Sequence, residues 1–334
     1  MLRIFHNTKY EFVKHWRLSA GLTIAFILAG LVTFGITGGV NYSIEFTGGT
    51  LMQVQFKQAP DVADVRNTLD AAGITGAEIQ QYGSNTEYTI RARSEAQVEA
   101  QAGGAEGVAK EIQTALDAKY GAGAVTIVRT EAVGPKVGAE LRTGAAMAML
   151  IASLFTLVYL AIRFDWRFGA AAVLATAHDI LVTIAFIKLM NLEVSLTIVA
   201  AILTLLGYSA NDTIIIFDRV RENLRKPHKG EGLARILDRS INETLPRSVM
   251  THATTLAATL ALLFIAGEVI RPFAWVMAFG VFVATFSSIY VAGPILLWIE
   301  SKYPREAEDR TMQAMRKGNE PAAPSGRSER LAAR

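Results

Sequence analysis

The residues of this sequence with the clearest capacity for chemistry are acids that lie inside apolar runs. Asp212 stands in the apolar half of the segment 205–226, flanked by Asn211 and Thr213. A carboxylate within a hydrophobic span is costly, and it normally has a partner or belongs to an ion or proton pathway. At 100° per residue, the polar residues of a helix here share a stripe about 120° wide. They are Thr197, Thr204, Tyr208, Asn211 and Asp212. This stripe is predicted to face other helices, with Asn211 and Asp212 as candidate proton-relay residues.

The next apolar segment brings a cation to a comparable depth. Asp212 precedes the polar boundary at Asp218 by about 9 Å of helix, and the following span begins near Arg247. Arg247 and the polar residues after it, among them His252, are therefore expected to lie near Asp212. Burial raises the pKa of a carboxyl group and a nearby arginine lowers it. A site in which the carboxyl group can change between these two environments can load and release a proton. A static hydrogen-bonded group that holds helices together is an equally good interpretation of the same residues.

A second acid follows a histidine in an earlier apolar run, at His178-Asp179. Adjacent helical residues point about 100° apart, so these two side chains are not expected to form a tight pair on one face. We interpret His178 as a packing or hydrogen-bonding residue, while Asp179 fits a structural role and a proton relay equally well. A membrane hydrolase would need a nucleophile beside this histidine. Ser195 and Ser209 are present, but neither a G-x-S-x-G nor an H-E-x-x-H motif occurs, so an enzyme is the least favoured class.

The composition of the chain indicates which class of protein positions these acids. The 334 residues are 51% hydrophobic and 19% charged, with a mean hydropathy of +0.30, which is too apolar for an ordinary soluble protein. Cysteine is absent, which excludes disulfides and thiolate metal sites, and no cofactor or metal is expected. The net charge of +3 does not indicate nucleic-acid binding, because the basic residues cluster at the ends of apolar runs.

These runs predict a polytopic membrane protein with six transmembrane helices, since about 20 apolar residues span a bilayer core. The predicted segments are a cytoplasmic N-terminus (1–17), a first span (18–39), an extracytoplasmic domain (40–142), five spans (143–300) with a basic cytoplasmic loop (218–247), and a disordered cytoplasmic tail (301–334). The basic clusters fall on one side when the spans alternate, as the positive-inside rule requires. Both termini are therefore expected in the cytoplasm.

The segment between the first two spans is of a different kind. Its pattern changes between period 2 and helical spacing in the order β-α-β-β-α-β, which predicts a split βαβ, or ferredoxin-like, α+β domain. Near its start, close to the first span, lies Phe46-Thr-Gly-Gly-Thr50, which follows a segment of β type. A structural role for the paired glycines is favoured over a phosphate site, because no helix follows directly and no P-loop lysine is present.

Taken together, the motifs resemble those of the SecF family of bacterial protein-export subunits. The matching motifs, in order within residues ~15–300, are Ile44-Glu-Phe-Thr-Gly-Gly, Val137-Gly-Ala-Glu-Leu, Ile162-Arg-Phe-Asp-Trp-Arg-Phe, His178-Asp179, Gly207-Tyr-Ser-Ala-Asn-Asp, Phe217-Asp-Arg-Val-Arg-Glu-Asn, Ser240-Ile-Asn-Glu-Thr-Leu-Pro-Arg and Gly267-Glu-Val. Many relatives have Asp-Phe-Thr-Gly-Gly in the first motif, where this sequence has Glu45. His252 is also atypical of the family, so the resemblance assigns it no role.

The resemblance implies an RND-like membrane half that carries an exported domain and sits in the bacterial inner membrane. It implies a heterodimer with SecD, contact with the Sec translocon channel and its small membrane subunits, and exported preproteins as clients. The activity implied is assistance to late steps of export with the proton-motive force. The proton-pathway aspartate of the family matches Asp212, and the arginine at the start of the next helix matches Arg247.

Two other functions remain open at this point. Half of an RND-type exporter of small molecules or lipids would share the spans and the aspartate. Its outer domain, however, is usually larger and lined for ligands. A purely structural subunit of a translocon would differ only at Asp212 and Arg247, so substitutions at those two positions separate it from a proton-coupled subunit.

Overall fold

The computed structural model describes residues 5, 8–92, 105–226, 231–267 and 269–304. The segment predicted to be a disordered tail therefore lies outside the described residues from 305 onward. Glu268 of the Gly267-Glu-Val motif is outside them as well.

The chain begins with a membrane-length helix and then forms the small α+β domain. A 3-10 turn at Val13–His15 leads into α1 (Trp16–Thr37), which ends at Gly38 with φ of 73°. The next elements are α2 (Ile44–Thr47), β1 (Gly49–Phe56), α3 (Val62–Ala71), β2 (Glu78–Gln81), β3 (Glu87–Ala92), α4 (Ala105–Tyr120) and β4 (Val125–Val133). The segment before the paired glycines, predicted to be of β type, is a single helical turn instead.

The four strands form one antiparallel sheet in the order β2-β3-β1-β4. One face of the sheet carries the alternate residues Met52, Val54 and Phe56 of β1, which pack against Leu69 of α3 and Ile112 of α4 in a single apolar core. The other face of the sheet is polar and points away from these helices. The split βαβ order predicted from the sequence is confirmed.

Five further apolar segments follow the sheet domain. They are α5 (Pro135–Arg163), α6 (Trp166–Leu189), α7 (Leu196–Arg225), α8 (Leu233–Ile265), and α9 (Arg271–Tyr290) continued by α10 (Ala292–Lys302). Together with α1, they make six segments in the described residues that are long and apolar enough to cross a membrane. The predicted six-helix fold class is confirmed.

The last predicted span is two helices instead of one. Pro294 has no backbone N–H, so it cannot donate to the carbonyl of Tyr290, and the helix breaks at Val291. The Ser19 hydroxyl of α1 donates to that carbonyl at 3.2 Å. A proline in the last span is therefore compensated by a serine in the first.

The predicted basic loop at 218–247 is mostly helical. Residues 218–225 continue α7 and residues 233–247 open α8. Arg219 holds the two extensions together, since its Nε donates to Glu243 at 2.6 Å, and the buried Asn223 donates to Ser240 at 3.0 Å. The segment is rich in Arg, Leu and Glu, which favour helix, and its charges pair along and between the helices. The hydrophilic segment therefore extends the helices beyond the apolar zone.

The side chains between the membrane helices form three layers along the bundle axis. An apolar cluster near the sheet domain contains Ile198 and Leu205 of α7, and a second, at the far end, contains Phe168 of α6 and Phe217 of α7. Between these clusters α7 carries buried polar residues, including Asp212. The carboxylates identified in the sequence therefore lie in a polar layer between two apolar ones.

Candidate functional site: two buried carboxylates between four helices

Asp212 lies 16 residues after the first residue of α7 and is only 4% exposed. Both oxygens of its side chain accept hydrogen bonds from neighbouring helices. Ser248 of α8 donates to Oδ1 at 2.7 Å, and Ser288 of α9 donates to Oδ2 at 2.6 Å. Asp212 thus joins α7 to both α8 and α9.

Asp179 of α6 forms a second centre of the same construction. It is 6% exposed, and its Oδ2 accepts hydrogen bonds from Ser209 of α7 at 2.5 Å and from Ser287 of α9 at 2.6 Å. Its Oδ1 lies 2.9 Å from Nδ1 of His178. Asp179 therefore joins α6 to α7 and α9.

The two centres are neighbours through the backbone that supports them. Ser287 and Ser288 are consecutive on α9, and Ser209 and Asp212 are one turn apart on α7. Serine hydroxyls rotate, so each can donate to a carboxylate and accept from a carboxylic acid. Each centre can therefore keep its hydroxyl partners in both protonation states, although the hydrogen bonds to the neutral acid are weaker.

The predicted pair of Asp212 and Arg247 does not form. Arg247 is on the exposed side of α8, and its neighbour Ser248 makes the contact instead. The buried stripe of α8 runs through Ser248 and His252, and Arg247 lies 100° away from Ser248 on the helix. In the described part of the chain, neither Arg247 nor any other cation forms an ion pair with Asp212.

The polar stripe predicted on α7 is likewise divided. Asp212 is buried, whereas Asn211 and Thr204 are exposed. Neither Asn211 nor Arg247 has a side-chain hydrogen-bond or ion-pair partner in the described residues. Thr251 on α8 is exposed as well, and its hydroxyl donates to the carbonyl of Arg247 in the same helix at 2.9 Å. Together Thr204, Asn211, Arg247 and Thr251 form a surface that we call the exposed polar strip.

The expectation for the His178-Asp179 dipeptide was wrong in one respect. The two side chains meet at 2.9 Å, because both are long enough to turn toward each other although their backbone directions differ by about 100°. The Nε2 of His178 is buried and has no partner among the described residues. His178 therefore orients one face of the Asp179 carboxylate.

His252 contacts Ser248, the hydrogen-bond donor to Asp212, and not Asp212 itself. It is 5% exposed, its Nδ1 lies 2.6 Å from the carbonyl of Ser248, and its ring packs edge-on against Tyr208 at 5.2 Å. His252 does not contact Asp212 itself. It packs against the backbone of the serine that does.

Four serines were not identified as site residues from the sequence. Ser209 was considered only as a nucleophile, and Ser248, Ser287 and Ser288 were not singled out. A signal existed in the sequence, because Ser287-Ser288 is a pair of hydroxyl residues inside an apolar run. In the searched part of the chain, no group of three or more His, Cys, Asp or Glu residues could hold a metal ion.

The Gly-Gly motif brings the sheet domain onto the helices. Gly48 has φ of 74°, and a Cβ on it would lie 2.9 Å from Cα of Pro135 at the start of α5. A Cβ on Gly138 would in turn lie 2.9 Å from the backbone nitrogen of Gly48. Only glycine fits this crossing of two backbones, which supports the structural interpretation of the motif.

Glu45 in the same motif caps the helix that carries Asp212. Its Oε2 accepts a hydrogen bond from the backbone nitrogen of Leu196, the first residue of α7, at 2.6 Å. A carboxylate is favourable there because the N-terminal amide groups of a helix lack intrahelical partners. The segment next to it pairs with the α6–α7 turn, since Ser43 N donates to Val194 O at 3.0 Å.

The sheet itself is bound to the same turn through Arg91. The guanidinium of this β3 residue forms ion pairs with Glu78 of β2 at 3.0 Å and with Glu193 of the turn. Its side chain is only 8% exposed. Glu45 and Arg91 thus connect the outer end of α7 with the sheet domain by separate routes.

Two family descriptions match the chain. Residues 112–302 match "Protein export membrane protein SecD/SecF, C-terminal", and residues 33–60 match "SecD/SecF GG Motif". The curated protein translocase subunit SecF of Gemmatimonas aurantiaca is 75% identical over 334 residues, covering 100% of both chains. The SecF subunit of Vibrio alginolyticus is 40% identical, with 89% of this chain and 92% of the relative covered.

Solved structures agree with these matches. The crystal structure of SecDF, a translocon-associated membrane protein from Thermus thermophilus, has a TM-score of 0.77 and 34% identity. The alignment covers 90% of this chain and 40% of that one. SecDF in its super-membrane-facing form has a TM-score of 0.64 at the same 34% identity. The chain thus spans about 40% of the SecDF polypeptide in those structures and 92–100% of the two curated SecF relatives named above. With a fold, a Gly-Gly motif and full-length relatives in agreement, this chain belongs to the SecF branch of the SecD/SecF family of protein-export membrane proteins.

Proposed function

We propose that this protein couples proton movement at Asp212 and Asp179 to late steps of Sec-dependent protein export, acting together with SecD. The family assignment supports an accessory role in export and a multi-pass membrane location. The observation that carries the proton role is a pair of buried carboxylates whose partners are four hydroxyls and one imidazole.

Protonation of Asp212 changes how firmly α7 is held. A hydrogen bond to a charged group contributes about 1.5–3 kcal/mol, and one between neutral groups about 0.5–1.5 kcal/mol. Neutralising the carboxylate therefore weakens each of its bonds to Ser248 and Ser288 by about 1–1.5 kcal/mol, or about 2–3 kcal/mol in total. One proton crossing 100 mV releases about 2.3 kcal/mol, which is of the same size. A proton gradient can thus change the packing of α7 against α8 and α9.

The outer end of α7 gives this change a route to the sheet domain. Glu45 caps the first turn of α7, and Glu193, just before this helix, pairs with Arg91 of the sheet. A shift or rotation of α7 pulls on both contacts. We infer that the sheet domain moves with α7 and acts on the exported chain.

The exposed polar strip supports a membrane partner at α7 and α8. Asn211 and Arg247 belong to apolar helices, yet the described part of the chain supplies no partner for either side chain. Unsatisfied polar groups are costly in hydrocarbon, so this face is better placed against another protein. Two SecDF structures align with this chain, and SecD is the partner we propose. Arg247 then acts across the interface instead of pairing within the chain.

We propose further that both termini are cytoplasmic and that the sheet domain is periplasmic. Arg163 and Asp218 form an ion pair at 2.9 Å at the end of the bundle opposite the sheet domain, and Asn242 bonds to the backbone of Tyr10 there at 2.9 Å. This end carries several arginines, among them Arg163, Arg219 and Arg221, as expected on the cytoplasmic side. Further partners proposed from the family are the translocon channel, its small membrane subunits and exported preproteins.

The test is transport of a model secretory protein into inverted membrane vesicles, with and without a proton gradient, at matched levels of the complex. Asp212→Asn is expected to lose the part of transport that depends on the gradient and to keep the rest. Asp218→Asn is a matched control, because it makes the same change on the same helix at an exposed position. Transport by Asp212→Asn with full gradient dependence would show that Asp212 is structural, and the chain would then be a structural partner of the translocon.

A further inference from the structure

A cavity of about 310 Å³ lies among α1, α5, α6 and α7, on the side of the bundle that carries the sheet domain. Its walls are almost wholly apolar. The lining residues of α5 have helical spacing and include the small residues Ala145 and Ala146, which leave the space open. Phe34 of α1 and Leu181 of α6 also line the cavity. Because it lies between membrane-length helices, the cavity faces the acyl chains of the bilayer.

Two cations line the cavity, Arg142 of α5 and Lys188 of α6. Arg142 comes just before an uncharged run from Thr143 to Ile162, and 20 residues of helix span about 30 Å, the thickness of the hydrocarbon core. Lys188 is one residue before the end of α6 on the same side. Both cations are thus at the level of lipid headgroups.

Lys188 is an unusual residue for this position. It is only 7% exposed, and its Nζ donates to the carbonyl of Gly39. A neutral carbonyl does not balance the charge, and a buried cation is costly unless an anion lies close to it. No carboxylate lines the cavity, and in the described residues neither Lys188 nor Arg142 forms an ion pair with an acid. The site has an excess of positive charge at its polar end and an apolar interior.

We propose that this cavity binds one acyl chain of an anionic phospholipid, whose phosphate lies between Lys188 and Arg142. The apolar lining fits an acyl chain, and the two cations fit a phosphate. A phospholipid supplies both the chain and the anion in one molecule. A transmembrane helix of a partner is a poorer occupant, because an apolar helix surface brings no anion to Lys188 and Arg142.

The proposal has a functional consequence at the sheet end of α6. A phosphate bound to Lys188 would neutralise the charge that is held against the segment joining α1 to the sheet domain. Lipid binding is therefore expected to hold α1, α5 and α6 together where the sheet domain is attached. This inference does not depend on proton coupling, since neither Asp179 nor Asp212 lines the cavity.

The experiment measures lipid binding to the purified full-length chain in detergent by native mass spectrometry. Three probes separate the sources of affinity: dioleoylphosphatidylglycerol, dioleoylglycerol without the phosphate, and glycerol 3-phosphate without the chains. Binding of one phosphatidylglycerol with clear preference over both other probes is expected. Equal binding of dioleoylglycerol would overturn the role of the cations. Equal binding of glycerol 3-phosphate would show a free-phosphate site and overturn the role of the apolar cavity.

Variants locate the site. Arg142→Gln, at an exposed position that should not disturb folding, is expected to weaken phosphatidylglycerol binding about fivefold, the usual effect of one cation at a membrane surface. Ala146→Phe, which fills the groove, is expected to weaken it at least tenfold. Their controls are Lys136→Gln and Ala148→Phe, exposed α5 positions outside the lining. Binding unchanged in both Arg142→Gln and Ala146→Phe would refute the proposal.

Discussion

One of the contacts that attach the sheet domain to the membrane helices is the buried guanidinium of Arg91, and its ion pairs allow a quantitative prediction. Arg91→Gln removes the charge that pairs with Glu78 and Glu193. Breaking a buried pair costs about 3–5 kcal/mol, and breaking an exposed one about 0.2–1 kcal/mol. The Arg91 side chain is 8% exposed, but those of Glu193 and Glu78 are 28% and 40% exposed. We therefore expect a loss of about 1–3 kcal/mol in the free energy that holds the sheet domain to the α6–α7 turn.

Hydrogen–deuterium exchange can measure this loss directly. The amides of Ser43 and Val194 are bonded across the junction, to Val194 O at 3.0 Å and Asn41 O at 2.7 Å. Their exchange requires the junction to open. A loss of 1–3 kcal/mol should thus speed exchange of these amides roughly 5- to 150-fold, because 1.4 kcal/mol is a factor of ten.

A double-mutant cycle tests whether the ion pair itself is the cause. If Arg91 acts through Glu193, then Arg91→Gln and Glu193→Gln together should speed exchange little more than Arg91→Gln alone. Arg129→Gln is the control, since Arg129 lies on the same face of the sheet as Arg91 but pairs with Glu131 of its own strand. Exchange in Arg91→Gln that stays within twofold of wild type would refute the reasoning, as would an equal acceleration in Arg129→Gln.

Two smaller predictions follow from close contacts in the structure. Gly30→Ala should lower stability by about 1–3 kcal/mol, because its Cβ would lie 2.5 Å from Cβ and 2.8 Å from Cα of Ala185, and backbone cannot yield cheaply. The measurement is thermal unfolding in detergent. Gly35→Ala is the control and should be neutral or stabilising, because nothing lies within 4 Å of the added Cβ. Equal unfolding temperatures of the two variants would contradict this prediction. Glu45→Gln should weaken the cap of α7 by about 0.3–1 kcal/mol, seen as faster exchange at the Leu196 amide and as no change in the sheet core; an unchanged Leu196 amide would show that the carboxylate charge is not required.

The sequence alone was sufficient for the features that depend on local pattern. Apolar runs of about 20 residues locate the membrane helices, and the alternation of period 2 with helical spacing predicts the order of the sheet domain. Asp212 and Asp179 can be recognised because each is a carboxylate in an apolar run. The cost of burying such a charge is the same whichever residue becomes its hydrogen-bond partner. These signals lie within a few turns of chain, so they can be read without knowing the fold.

The partners of the two acids were decided only by the tertiary structure. A shift of one residue on a helix turns a side chain by 100°, so Arg247 and Ser248 are indistinguishable by depth, although only Ser248 reaches Asp212. The contacts of Ser287 and Ser288 with different carboxylates likewise depend on how α9 is rotated between its neighbours. Helix rotation is set by packing summed over the whole bundle, and no local pattern contains that sum.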